Sequence, residues 1–378
     1  MVSIGIDIGT FHTLAVAHGE RFTIPGRSIP SIALRGTRPL VGNDAINNWH
    51  PELPLFQAPK LELGKPGTDR AFLLEVISKL GAQAFESLGL SSERPIVATV
   101  PPGWTREQCQ LLRESLINHH PNIVFLHEPV ALLIAAHATA RFHPDPILRS
   151  KLAQYPVVFV CDWGAGTVDL AVVRTSGSTK ATEFQLLEEE TDVRWGGTSM
   201  AREIVRTGPP SSSSLEPEKI AYYLQRHWEG SSPEVLGLDS YAAHTRDVRR
   251  RAAHVIGESA RRLLERALGS GSSPEFLCVT YGGPLESAEL RDEFIGFLGS
   301  SGLSPERHIH IGDAFAGAAA KGLPELRRES FVALGASLYA ARGQALPEYQ
   351  YRLGLRDSFA RETQSVVLAR TGATEGIQ

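Results

Sequence analysis

Apolar positions along the chain fall into two rhythms, short runs with period two and longer stretches with helical spacing, and their alternation predicts sheets covered by helices. Ser3–Ile8 reads as a strand; the chain turns at Gly9–Thr10 and resumes as a strand over Thr13–His18. The run Thr23–Leu34, interrupted by Pro25 and Pro30, reads as edge strands and turns. Within Ala71–Gly89, residues Leu73, Leu74, Ile77, Leu80 and Phe85 recur at helical spacing. A buried strand follows over Pro95–Val100, closed by Pro101–Pro102. Thr105 then caps a helix running to about His119, with Glu107 and Gln108 in its first turn. Asn122–Leu126 is a strand and Pro129–Ala140 an Ala-rich helix, so the rhythm implies a parallel or mixed sheet.

After the charged connection His143–Gln154 the pattern starts again. Val157–Val160 leads into the turn Asp162–Thr167 and out through Asp169–Arg174. Gly208–Pro217, with four consecutive serines, is a solvated loop. Ile220–Trp228, the Arg-rich Asp247–Leu268 and Leu285–Leu298 are helices, and Phe276–Tyr281 is a strand ending at Gly282–Gly283. The tail from Pro347 is polar and reads as a short hairpin or a partly ordered end. IGIDIGTFHTLAVA and VFVCDWGAGTVDLAVV share one frame, and their aspartates lie 155 positions apart. That repeat divides the chain into an N-terminal lobe (1–155), a C-terminal lobe (156–346) and a short tail (347–378), the lobes facing each other across a cleft.

Length and composition fit this division: 378 residues, 42% hydrophobic and 21% charged, are enough for two cores. A net charge of −4 and a pI near 6.4 provide no field for nucleic acid or anionic lipid. No run of about 18 apolar residues would span a membrane. Cys109, Cys161 and Cys278 are too few and too scattered for a zinc site or a disulfide framework, and the expected location is cytoplasmic. Only seven of the 38 basic residues are Lys, so a well-placed Lys stands out. His12, His127 and His254 have no metal-ligand spacing and read as cleft-lining or satisfied histidines.

The chemistry expected of the two hairpins is phosphate binding. Gly9, Gly164 and Gly166 leave backbone N–H groups open to phosphate oxygens, with Thr10 and Thr167 adding hydroxyls. Asp7 and Asp162 end their strands beside one cleft, where two carboxylates suit Mg²⁺ and its waters.

In this order and spacing the motifs resemble the nucleotide-binding domain of the heat shock protein 70 family, within the actin-like ATPase superfamily, over about residues 2–343. GIDIGTFHT resembles the family's first phosphate loop, IPSIAL and VGNDA its next segment, and KLELGK its lysine-bearing element, placing Lys60 on the catalytic lysine. VATVPPGWTREQCQLLRESL resembles its strand-to-helix turn. HEPVALLIAA places Glu128 on the acidic residue near the attacking water. DWGAGTVD resembles the second phosphate loop, WGGTSM a supporting turn at Gly196 and Gly197, and TYGGP the turn at Gly282 and Gly283. For the base, ESARR supplies Glu258, Arg261 and Arg262, with a register shifted to Glu265 and Arg266 left open. ESFVALGASLYAA resembles the closing helix, with Gly335 matched, although IGDAFAGAAAKG nearly duplicates it.

The resemblance implies an α/β fold of two ribonuclease-H-like lobes, binding of ATP or ADP with Mg²⁺, slow ATP hydrolysis through Lys60, Glu128, Asp162 and Thr167, and a protein partner such as a client, co-chaperone or exchange factor. Three departures matter. Phe11 replaces a loop threonine, Ala165 stands at a loop glycine, and Glu286 falls near an adenine-stacking arginine. The tail is also too short for the peptide-binding β-sandwich and helical lid of that family. An actin-like scaffold or filament, a small-molecule kinase of the same fold and a nucleotide-sensing pseudo-ATPase are the competing expectations.

Overall fold

The computed structural model describes residues 2–19, 22–36, 38–49, 55–90, 96–117, 123–142, 150, 152, 154–178, 181–208, 220, 221, 224, 242–269, 275–303, 305, 307–315, 328–341 and 350–354. Of the expected helix Ile220–Trp228 only Ile220, Ala221 and Leu224 are described, all helical and buried; the rest of it, the serine-rich loop and most of the connection His143–Gln154 lie outside the described residues.

The first part of the chain forms β1 (Ser3–Ile8), β2 (His12–Gly19), β3 (Phe22–Pro25), β4 (Ile29–Pro30), β5 (Ile32–Leu34), β6 (Leu40–Val41), α1 (Asn43–Asn47), β7 (Leu55–Gln57), α2 (Pro59–Glu62), α3 (Arg70–Glu86), β8 (Ile96–Val100), α4 (Arg106–Leu116), β9 (Ile123–His127) and α5 (Glu128–Phe142). The second forms β10 (Val157–Trp163), β11 (Val168–Ser178), β12 (Ala181–Asp192), α6 (Gly197–Thr207), α7 (Ala242–Leu268), β13 (Leu277–Tyr281), a 3₁₀ turn (Gly283–Glu286), α8 (Ala288–Ser300), β14 (Arg307–His310), α9 (Ile311–Phe315), α10 (Phe331–Ala340) and β15 (Gln350–Gly354). The fold is mixed α/β. Thr105 caps α4 as expected and forms a full capping box with Gln108.

Two six-stranded sheets repeat one topology. In the first the order is β3-β2-β1-β8-β9, with β4 also paired to β2. In the second it is β12-β11-β10-β13-β14, extended by β15. In each, the opening strand is antiparallel to its hairpin partner and parallel to the strand that returns through a helix. A small third sheet, β6-β5-β7, sits beside the first. Of the tail only β15 is described: it runs parallel to β12 and lengthens the second sheet, and the rest of the expected hairpin or partly ordered end lies outside the described residues.

Period-two alternation decides which residues face which core. Ile4, Ile6 and Ile8 point to an outer core shared with α3 and α4. Val157, Phe159, Cys161 and Trp163 point to a second outer core under α6, α7 and α8. The opposite faces meet in a central core that contains α5, α10, Leu14, Val16, Val158 and Val160. By the same alternation Asp7 and Asp162 lie on the central sides of their sheets.

The two central helices are exchanged between the halves. Helix α10, from the second half, packs chiefly on β1, β2 and β8 of the first sheet and on α5, while α5 lies against β10 and β11 of the second. Glycine makes this possible: a Cβ on Gly5 would lie 2.0 Å from the Ala333 carbonyl oxygen, and one on Gly335 1.7 Å from that of Ala131. Ser3 fastens the contact by donating its hydroxyl to the Ser337 carbonyl at 2.8 Å. No helix among the described residues is long and apolar enough to cross a membrane.

Candidate functional site

The two opening strands end beside a cavity of about 460 Å³. From β1 and its hairpin come Asp7, Gly9, Thr10 and Phe11; from β10 and its hairpin come Asp162, Gly164, Ala165, Gly166 and Thr167. Lys60 and Glu128 line it between the two hairpins, and Gly282 and Gly283 line it from the end of β13. The hairpins touch: a Cβ on Gly166 would lie 2.1 Å from Thr10 Oγ1. Gly282 adopts φ 110° against the Trp163 carbonyl, a conformation and a clearance that only glycine supplies.

Gly196 and Gly197 do not line the cavity. They support it from behind, because the Gly197 and Thr198 amides donate to the carbonyls of Gly164 and Ala165 at 3.0 and 2.7 Å. Gly335 belongs to the crossing of α10 and α5. Glu258, Arg261 and Arg262 lie on α7 and are not among the lining residues. Arg261 instead bridges Glu258 and Glu265 on its own helix, and Arg262 donates to Ser259.

Lys60 is 2% exposed, an unusual state for a lysine. Its chain enters through Ala58, the single non-glycine residue with positive φ (57°) among those described. The ammonium donates to Glu128, lies 3.6 Å from Asp7 Oδ1, and sits 5.6 Å from the Trp104 ring centroid. Thr99 donates to Asp7 at 2.9 Å. Asp169, opposite Asp162 on β11, accepts from the hydroxyls of Thr167 and Thr191, each at 2.6 Å. The Thr167 hydroxyl therefore donates to Asp169 rather than into the cavity. Below this group, Thr191 Oγ1 accepts from the Gly103 amide, and His127 Nδ1 lies 2.7 Å from Glu189, tying the first half to β12.

Four acids, Asp7, Glu128, Asp162 and Asp169, thus gather around one ammonium. Burial, then Glu128, Asp169 and Asp7, push the Asp162 carboxyl well above the usual range. Burial raises Glu128 to about 8 against the pull of Lys60, and raises Asp169 to about 6 against its two threonine hydrogen bonds. For Lys60, burial opposes the charge, but Glu128 and Asp7 outweigh it and its pKa is raised.

These shifts set a pH dependence. The folded chain holds carboxyl protons that an unfolded chain releases near pH 4 to 4.5, so stability falls as pH rises from about 4 through the raised values near 6 and 8. The raised Lys60 pKa acts only at higher pH. Without nucleotide or divalent cation, urea denaturation should find the protein less stable at pH 8.5 than at pH 5.5 by roughly 2 kcal/mol or more. A midpoint that climbs over that interval would contradict the acid cluster.

Of the histidines, His12 lines the cavity, His127 pairs with Glu189, and His254 on α7 packs edge-on to Phe297 of α8. Reading by motif matched Asp169 within the second phosphate loop but gave it no role in the acid cluster, and it missed the contacts of Trp104 and Thr191 and the place of Tyr281 on the cavity wall. Asp169 was within reach of the sequence, as it closes the DWGAGTVD motif; Trp104 and Thr191 carry no local signal. The chain matches no protein-family model and no curated protein.

Proposed function

We propose that the chain is a Mg-ATP-binding ATPase of the actin-like type, similar to the nucleotide-binding domain of the heat shock protein 70 family. On this reading it couples ATP binding and hydrolysis to closure of its halves and to binding of a protein partner. One observation carries the proposal: the same strand order occurs twice, each time with an aspartate ending the opening strand and a Gly/Thr hairpin beside it, and both face one cavity.

The residues present fit both ligands. Gly9, Gly164 and Gly166 form a cradle too tight for side chains, which suits phosphate oxygens approaching backbone N–H groups. The excess of buried carboxyls over ammonium groups suits a divalent cation, which Asp7 and Asp162 would hold directly or through water. When bound, Mg²⁺ supplies charge neutralisation on the phosphates. In this proposal Lys60 would donate to the γ-phosphoryl oxygens and orient water, and Glu128, with a pKa of about 8, would take the proton as water attacks phosphorus and the bond to the ADP oxygen breaks.

A small-molecule kinase is the second reading, favoured by His12, Ser28, Asn43 and Ile46 on the wall of the same cavity, which offer surface for an acceptor hydroxyl. Phosphate release from purified protein, followed with light scattering, separates the cases. Release of inorganic phosphate with ATP and Mg²⁺ alone is expected. ATP consumption only after a polyol is added would favour the kinase, and ATP-dependent growth of scattering would favour a filament.

A further inference from the structure

On the rim of the cavity, three side chains from separate elements converge. Glu286 ends the 3₁₀ turn after β13, His310 ends β14, and Asp313 lies in α9. One ligand atom from each lies within 4.8 Å of the other two. We propose that Glu286, His310 and Asp313 form a site for one first-row divalent cation of the zinc type, separate from the acid cluster around Lys60.

The geometry is already partly set. His310 Nε2 and Glu286 Oε1 stand 3.3 Å apart. Two ligands about 2.1 Å from a tetrahedral ion are separated by roughly 3.4 Å, so this pair spans one edge of such a site. Asp313, whose side chain is 60% exposed, can close the remaining distance without disturbing a core.

His310 is held in the manner of a metal-ligating histidine. Its ring is buried, and Nδ1 lies 3.1 Å from the hydroxyl of Thr280, itself fully buried. That contact orients the ring so that Nε2 faces Glu286. His308 shares the same hydroxyl at 2.8 Å. Arg291 steadies Asp313 at 2.8 Å while donating to the Leu285 carbonyl, and the carboxylate has a second oxygen for an ion. The chain closes over the group at Gly312, where a Cβ would lie 2.4 Å from Glu286 Oε1 and 2.8 Å from His310 Nε2.

The donor set indicates which ion. One imidazole with two carboxylates suits zinc or a neighbouring transition metal, whereas Mg²⁺ and Ca²⁺ prefer oxygen alone. The plainer alternative is an ion pair of His310 with Glu286, which would need no Asp313 and would have no affinity for metal.

The experiment is titration of chelator-stripped, nucleotide-free protein with Zn²⁺, read by calorimetry and, with Co²⁺, by its visible absorption. One ion per chain is expected at this site, distinguished from any held by the acid cluster by its persistence in Asp7→Asn. His310→Gln and Asp313→Asn should each weaken binding by about 100-fold or more, and Thr280→Val by about tenfold through loss of ring positioning. Asp7→Asn should bind Zn²⁺ at this site as the unmodified protein does. Absence of stoichiometric binding would overturn the proposal, as would binding that survives Asp313→Asn, a substitution at an exposed position that leaves the core intact.

Discussion

Lys60→Ala is expected to lower ATP turnover by about 10²- to 10³-fold, the scale of losing one preorganised charge donor in a dry site. The same change should destabilise the fold, because Lys60 is the only ammonium among the four gathered acids. Removing one partner of a buried pair typically costs about 3–5 kcal/mol, since the other is left charged or forced to protonate. Replacing both partners is milder, so Lys60→Met with Glu128→Gln should recover much of the stability and none of the turnover. Lys60→Arg should rescue neither: a planar guanidinium cannot fill the position of a compact ammonium that is 2% exposed and already fitted to Glu128 and Asp7. Single-turnover phosphate release and urea denaturation measure the two effects separately. If Lys60→Ala hydrolyses ATP within a few-fold of the parent protein, the assignment of Lys60 to catalysis is wrong.

A comparable loss of folding stability, with no change of charge, is expected from Gly335→Ala. This one added methyl would sit 1.7 Å from the Ala131 carbonyl oxygen, and both groups belong to helix backbones that cannot give way separately. Separating α5 from α10 would also disturb Gly5, pressed against Ala333 on the other face of α10. Overpacking of this kind costs about 3 kcal/mol, and more where the clash is with backbone. Gly67→Ala is the comparison: its φ is 80°, but nothing lies within 4 Å of the new methyl, so the cost should be about 1 kcal/mol of backbone strain. Equal urea midpoints for the two variants would refute the close crossing of α5 and α10.

Both hairpins, the helices α3, α4, α5, α7 and α8 and the strands between them were legible in the sequence, because each buries a face whose period matches its structure. Strand β12 was not. Its acidic run Glu188–Glu190 hides the strand, because its charges are met from elsewhere in the fold: Glu188 and Glu190 pair with Arg266 of α7 and Glu189 with His127. Alternation identifies a strand but not its partner, and the pairing of 350–354 along β12 is one that no pattern in the tail announced. In the cavity, residues adjoining a tight turn were readable from the turn. Partners brought from far along the chain, such as Trp104 beside Lys60 and Thr191 beside Asp169, were not. The acid and two arginines of α7 lie away from the cavity lining, and their spacing of three and four places them in contact along one helix.

The exchange of central helices bears on the order in which a growing chain can fold. The first sheet is complete once β9 has formed, but the helix that covers its central face is encoded at 331–340, and the hydroxyl of Ser3 waits 334 positions for its carbonyl. Until α10 emerges from the ribosome, the faces of β1, β2 and β8 that will receive it have from their own half only the flank of α5, which touches β8 and β9. A nascent chain therefore carries a largely uncovered apolar sheet through most of its synthesis, which is the period when a cell must shield it.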